Sequence, residues 1–502
     1  MPDPQEKFYL TTPIYYVNDK PHIGHAYTTI VADVIARYWR LRNREVVFLT
    51  GTDENSQKNV EAAQKAGLEV QAYVDQMSQN WAAAWQKLGL TVDDFIRTTE
   101  DRHKVGVNKF WQAVETNGDI YEGEYVGFYC VGCEAFKTST ELDEQGFCSL
   151  HKKAPQMLKE KNFFFKLSAY REKLLKYIDE HPDFIQPPER RNEVRSYVDK
   201  FMTDVSISRE SVKWGLPVPN HPEAVIYVWF DALLNYMTAI GYGTDEAKFN
   251  KFWPADLHLV GKDIIKFHCA LWPAMLMSAG LPIPKTVFAH GFFTVDGVKM
   301  SKSLGNFIDP LEVVAKYSKD VLRFYLLREI PFGGDGDFSI KHLEERYTND
   351  LGNELGNLHY RVLSMVEKYL DGCVPKVVTA SRAEIWSSYE KHMASYNFLG
   401  ALDDVWGILR RANQKIDQEA PWKLVKTDSG RLAGVLYELL EDLRQVAWLI
   451  LPIMPETAQK IVESLDSPDE FQKDLKQAQI WGGLPEGARI KKGEPLFPRL
   501  TS

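Results

Sequence analysis

Apolar residues along this chain follow two rhythms that switch at defined places. Phe8 to Thr12 is a short, nearly unbroken apolar run with the length of a buried strand. Beyond the turn signal Asn18-Asp19-Lys20-Pro21 the period lengthens, with Ile30, Val31, Val34, Ile35, Tyr38 and Trp39 recurring every three or four residues. A strand, a turn and a helix starting near Ala26 are therefore predicted. The alternation repeats with a strand at 46–49, a helix after Asn55, a long helix over 70–88 and a strand near 95–97, so Lys7 to about Asn117 reads as consecutive βα units. From Gly118 a Gly-, Tyr- and Glu-rich alternation runs through Gly127, and a strand pattern covers 163–167, which predicts a β-rich insertion. The βα pattern resumes near Tyr227-Val228-Trp229-Phe230-Asp231, continues through a strand at 257–260, and includes the apolar run 287–295, broken at His290-Gly291. From Ile340 nearly everything is helical, with amphipathic stretches over 344–369, 382–416 and 431–449. The expected fold class is α/β: a doubly wound parallel sheet in two halves, 1–117 and 226–340, split by the insertion 118–225. A helical bundle over 341–480 and a tail over 481–502 follow.

A length of 502 residues exceeds what one core comfortably supports, in keeping with several domains. No apolar run reaches membrane-spanning length, and Met1 to Lys7 is too acidic and proline-rich for a secretory or mitochondrial leader, so a cytoplasmic protein with no membrane partner is expected. The formal net charge of −9 excludes coating of nucleic acid by bulk electrostatics and leaves only a local basic surface for RNA.

Three of the five cysteines share one short stretch. Cys130-Val131-Gly132-Cys133 is followed by Cys148-Ser149-Leu150-His151, which has the paired spacing of a tetrahedral zinc site. An odd count without a signal peptide argues against disulfides. With Cys130, Cys133, Cys148 and His151 filling all four positions, one structural zinc ion is expected.

Two further motifs carry chemistry. His22-Ile23-Gly24-His25 lies between the first strand and the first helix, where exposed amides and the helix dipole favour phosphate, and Gly24 lets a nucleotide approach the backbone. His22 and His25 would stabilise charge on a reacting phosphorus centre. Lys299-Met300-Ser301-Lys302-Ser303 puts two ammonium groups on a hydroxyl-flanked loop suited to a polyphosphate. In this order and at this separation the pair resembles the two signatures of class I aminoacyl-tRNA synthetases. That resemblance implies a nucleotide-binding (Rossmann-like) catalytic domain and ATP bound, with magnesium, by His22, Gly24, His25, Lys299 and Lys302.

Local motifs narrow the resemblance to the methionyl-tRNA synthetase family, over almost the whole chain. Thr11-Thr12-Pro13-Ile14-Tyr15-Tyr16-Val17-Asn18 is similar to that family's first strand and methionine-binding turn. Trp229, Ala232, Leu233 and Tyr236 resemble the stretch that lines the methionine side chain, as do Ile264, His268 and Trp272, with Trp272 also readable as plain core. Aromatic walls with one or two polar tips suit a thioether, a polarizable body and weak acceptor. The resemblance implies methionine contacts at Ile14, Tyr16, Asp53, Trp229, Ala232, Leu233, Tyr236, Ile264 and His268, with Asp53 holding the α-ammonium. The family pattern continues His-Gly where this chain has Asn55-Ser56. In the helical part, Asn357-Leu358-His359-Tyr360-Arg361 and Ala420-Pro421-Trp422 resemble anticodon-reading elements, implying that Asn357, Arg361 and Trp422 meet a CAU anticodon.

The implied activity is a two-step ligase. L-methionine attacks ATP to give methionyl adenylate and pyrophosphate, and the methionyl group then passes to the 3′ end of initiator and elongator tRNA(Met). The short stretch after the bundle leads to the expectation of a monomer. Three alternatives stay open: a class I synthetase for isoleucine, valine or cysteine, a different nucleotidyltransferase, and a non-catalytic tRNA-binding paralogue.

Overall fold

The computed structural model describes residues 6–130, 135–137, 142–149, 152–299, 306–376 and 384–500. The chain divides into two compact units, Met1–Ala32 with Arg44–His290, and Asp33–Asn43 with Gly291–Ser502.

The first unit is built on a six-stranded, all-parallel sheet. Its order is Asp94–Arg97, Glu45–Asp53 (β2), Lys7–Tyr16 (β1), Leu257–Gly261, Val287–His290, Ile185–Gln186. β1 has a strand on each side, with Leu10 in register with Phe48 of β2 and with Leu257. Covered on both faces, such a strand reads as a continuous apolar run rather than an alternating one. Its pairing with β2 shifts between Thr11 and Ile14, where Pro13 has no N–H to give the ladder. The chain winds outward from β1 to one side first and returns to the other side later, so the strand order reverses between β1 and Leu257–Gly261. Ligands of such sheets bind outside the carboxyl ends of the strands at that reversal.

The predicted doubly wound α/β fold and the helical C-terminal region are what the structure shows, and the differences are local. The insertion's sheet is antiparallel, with Ile120–Cys130 paired to Ala135–Lys137 and Gln156–Phe165, and Gln156–Phe165 paired to Val205–Ser206. The span read as β-rich also contains the helices Arg171–Glu180 and Pro188–Lys200, and between them Ile185–Gln186, the edge strand of the central sheet. Two residues give no periodicity, so this strand is set by its tertiary pairing with Val287 and Phe288. Residues 228–232, where the βα pattern was expected to resume, form a short helix.

The second unit contains a three-stranded sheet, Val298–Lys299, Phe293–Val295 and Gly336–Phe338, and a set of helices. Leu402, Val405 and Leu409 of Phe398–Glu419 are buried, as are Leu436, Leu440 and Leu443 of Ser429–Ile450. Helix Ser429–Ile450 is enclosed all round over its second half, and buried Arg444 there pairs with Glu441 at 3.0 Å and Glu470 at 2.7 Å. The amphipathic stretch expected over 382–416 forms two helices, Glu384–Ala394 and Phe398–Glu419. Tyr396 is left-handed (φ 59°) and the Asn397 side chain caps the second helix, accepting from Gly400 N–H at 3.0 Å.

Candidate functional site

The turn after β1 brings the two signature histidines together. Helix α1 (Ile23–Leu41) opens directly after His22, and the rings of His22 and His25 stack with centroids 3.6 Å apart. The Gly24 N–H donates to His22 Nδ1 at 3.1 Å, and the His22 N–H donates to His25 Nδ1 at 3.3 Å. With Nδ1 accepting, each neutral ring carries its proton on Nε2. A Cβ on Gly24 would lie 3.0 Å from His22 Cε1, so a side chain there would crowd the folded-back histidine. Burial, and then the nearby His22, hold His25 well below the usual histidine value, so it is neutral at physiological pH. Aromatic rings back it: Tyr15 at 4.9 Å and Trp81 at 5.0 Å, with Trp81 stacked on Tyr15 at 5.1 Å. Thr28 of the same helix bonds His290 Nε2 at 2.7 Å, tying α1 to the strand Val287–His290. Sequence reasoning gave no role to Trp81 or Trp85; their i, i+4 spacing on helix Val70–Lys87 was the available signal.

Beside this turn, an aromatic and histidine network surrounds the residues assigned to methionine. Trp229 lies flat on Phe267 at 3.9 Å and edge-on to His268 at 6.1 Å. His268 Nδ1 meets the Ile264 carbonyl at 3.0 Å, and since a carbonyl only accepts, the proton is on Nδ1. The Tyr236 hydroxyl therefore donates to His268 Nε2, at 2.7 Å. The same logic applies to His258: Trp272 Nε1–H donates to its Nε2 at 3.4 Å, so its Nδ1–H donates to Thr11 Oγ1 at 2.7 Å. Burial lowers His268 to about 4, the hydrogen bond to Ile264 opposing it only in part, and holds His258 well below its usual value, aided by His268. Both rings are neutral. Trp272 is fully buried among Phe110 and Trp253, which favours its reading as core. The buried indole N–H of Trp229 has no acceptor among the described residues.

The end of β2 completes the group. Asp53 is buried, in register with Tyr16, and its carbonyl takes the Asn59 amide at 2.9 Å. Glu54 is buried behind it and held bidentately by Arg97 at 2.7 and 3.0 Å. At the reversal point Asp263 follows Gly261, where a Cβ would lie 2.6 Å from its Oδ1. Sequence reasoning gave Asp263 no role; its place just beyond a strand neighbouring β1 was the signal. Ile14, Tyr16, Asp53, Trp229, Ala232, Leu233, Tyr236, Ile264 and His268, with the two histidines, all belong to the first unit.

In the second unit, Lys299 ends a tight hairpin. Asp296 (φ 49°) and Gly297 (φ 76°) form its tip, a turn type matched to strand twist. The Asp337 carboxylate accepts from Gly297 N–H at 2.8 Å and Thr294 Oγ1 at 2.5 Å, fixing that tip. Lys302 lies outside the described residues. The helical region brings Asn357, Arg361 and Trp422 to one cleft of about 330 Å³, together with Tyr360, Lys368 and Tyr369. Asn357 and Arg361 are one turn apart on helix Asn357–Tyr369, just after a wide π-helical segment, Tyr347–Gly356. Trp422 is 44% exposed, presented after left-handed Ala420 (φ 45°), so it is not a core residue.

For the zinc set, Cys130 and Cys148 are buried, while Cys133 and His151 lie outside the described residues. Cys148 sits in a tight turn: it accepts from Lys152 N–H at 2.8 Å and donates to the Lys153 carbonyl at 3.0 Å, with Lys152 left-handed (φ 50°). Among the described residues no group of three His, Cys, Asp or Glu side chains could hold a metal. No helix among them is long and apolar enough to cross a membrane.

Residues 8–146 and 137–363 match the family described as class I tRNA synthetases (M), and residues 375–502 match the anticodon binding domain of methionyl tRNA ligase. A methionine–tRNA ligase of Thermotoga maritima is 46% identical over 99% of this chain and 81% of its own length. One from Thermosynechococcus vestitus is 44% identical over 98% of this chain and 97% of its own. The structure of Mycobacterium tuberculosis methionyl-tRNA synthetase in complex with methionyl-adenylate superposes with a TM-score of 0.94 at 40% identity, covering 99% of this chain and 100% of that one.

Proposed function

Because the chain belongs to the methionyl-tRNA ligase family of class I aminoacyl-tRNA synthetases, we propose how its residues divide the work of methionine activation and transfer to tRNA. The open choice among amino acids and the non-catalytic alternative close on full-length similarity to methionine–tRNA ligases. The observation that carries the division of labour is the gathering, in the first unit, of two stacked histidines and a cluster of aromatic rings near the carboxyl ends of parallel strands.

Methionine's carboxylate attacks the α-phosphorus of MgATP in line, the bond to the β-phosphate oxygen breaks, and pyrophosphate leaves. The nucleophile is already ionised, so the site must position and neutralise charge rather than remove a proton. His22 and His25, each with its ring proton on Nε2, donate to the phosphoryl oxygens as charge builds, and Gly24 lets the backbone lie close. Asp53 meets the α-ammonium. Ile14, Tyr16, Trp229, Ala232, Leu233, Tyr236, Ile264 and His268 enclose the side chain, with the Trp229 indole N–H as a polar tip. Lys299 and Lys302 bind the leaving pyrophosphate. Asn357, Arg361 and Trp422 read single-stranded anticodon bases by edge hydrogen bonds and stacking.

The fit of zinc rests on the donors: two buried thiols, one in a tight turn, suit a structural ion completed by Cys133 and His151, whose chemistry is to cross-link a β-rich segment. The activation roles are tested by single-turnover adenylate formation. Lys302→Ala is expected to slow it on the order of a hundredfold while methionine affinity stays. An unchanged rate with lost methionine affinity contradicts the assignment.

A further inference from the structure

Asn55 occupies a position where sequence reasoning left a departure from the family pattern without a consequence. It lies two residues beyond Asp53 and is 7% exposed. Its Nδ2 donates to Asp231 Oδ2 at 2.8 Å and to the Thr98 carbonyl at 3.4 Å. Both partners only accept, so the orientation of the amide is fixed by chemistry. Asp231 is itself fully buried in helix Val228–Ala232, between Trp229 and Ala232.

The link extends further. Asp231 Oδ1 takes His103 Nε2 at 2.8 Å, and His103 Nδ1 meets Thr238 Oγ1 at 2.8 Å, so His103 staples both ends of the segment 231–238 that contains Leu233 and Tyr236. Helix Asp101–Thr116, which carries His103, lies so close that a Cβ on Gly106 would come within 2.3 Å of Thr238 Cγ2. His103 thus holds the segment onto a helix, whereas Asn55 joins it to the end of β2. A buried carboxylate with one acceptor oxygen stripped of its donor is costly, so the segment would shift toward another partner.

We propose that Asn55 is a positioning residue for methionine: by clamping Asp231 it sets the spacing between the strand end that carries Asp53 and the helix that carries Trp229 and Ala232. The inference rests on the methionine roles given to those residues above. A bound amino acid spans both elements, its ammonium on one and its side chain on the other, so loss of the clamp is felt by methionine and not by ATP.

The test is methionine-dependent ATP–pyrophosphate exchange on the full chain, comparing wild type, Asn55→Ala and Asn55→His, with thermal unfolding measured alongside. Asn55→Ala is expected to raise KM for methionine about tenfold or more, the scale of losing a hydrogen bond to a buried charged group, with KM for ATP within about twofold. Asn55→His, which restores an N–H donor, is expected to recover most of the loss. A folded Asn55→Ala with unchanged KM for methionine, or with both KM values raised equally, overturns the proposal, as does a histidine variant no better than alanine. Should Asn55→Ala not fold, Asn55→Ser carries the same expectation. Failure of the underlying reading shows separately, as absence of methionine-dependent exchange in the wild type.

Discussion

His268 shows how much of this site depends on one proton. It donates from Nδ1 to the Ile264 carbonyl and accepts the Tyr236 hydroxyl on Nε2, an arrangement open only to the neutral ring. Its folded value is about 4 against an ordinary 6.5. A histidine depressed in this way contributes stability that is fully present above about pH 6.5 and is lost as the pH falls through about 4. The gap corresponds to roughly 3 kcal/mol. Denaturant unfolding of wild type and His268→Asn between pH 7 and 4 should therefore show the wild type losing about that much more stability, because asparagine does not titrate. Parallel curves would contradict the depressed value assigned to His268. At this scale the sequence was legible where chemistry repeats in short motifs, as at His22, His25, Trp229 and His268. It gave no role to His103, Asp231 or Asn55, whose partners lie far away in sequence and become neighbours only in the fold.

Elements were legible in proportion to their length. The long amphipathic helices and the buried strands announce themselves by period, whereas the edge strand Ile185–Gln186 has two residues and no period. The break at Tyr396-Asn397 was signalled only by a capping side chain inside an otherwise helical pattern. Helix Ser429–Ile450 supplies a stability prediction. Arg444 is fully buried, satisfies Glu441 and Glu470, and donates to the Ala478 and Ile480 carbonyls at 3.3 and 2.6 Å. Arg444→Met leaves buried Glu441 without a cation, while Glu470 keeps Lys473 at 2.5 Å, and should cost about 3 kcal/mol, read as a lowered unfolding midpoint of the second unit. In the insertion, replacing Cys130 or Cys148 by Ser should release one equivalent of zinc, measured by elemental analysis of purified protein, and increase amide exchange in the strand Ile120–Cys130. Wild-type protein that holds no zinc would end that assignment. In the helical region Trp422→Ala should lower tRNA charging efficiency by about 1–3 kcal/mol, the usual worth of one stacked base, with exchange activity unchanged. A tRNA already altered at the anticodon should be affected much less, and equal loss of exchange would return Trp422 to a structural role.

On the scale of the whole molecule, a net charge of −9 means that an RNA polyanion is not held by general attraction. Binding must come from local groups, and the cleft that gathers Asn357, Arg361 and Trp422 with Lys368 is the place proposed for it. The proposed activation residues on the parallel sheet and the lysine loop, and the proposed base-reading residues on the helices, lie far apart in the chain, which is why distant sets of motifs were needed to read one function. The most direct test of the account is ATP–pyrophosphate exchange by the purified chain with methionine, isoleucine, valine and cysteine supplied in turn. Exchange that depends on methionine, with the other three near background, is the predicted result. Exchange driven by one of the others in preference to methionine, or by none of the four in a folded protein, would contradict it.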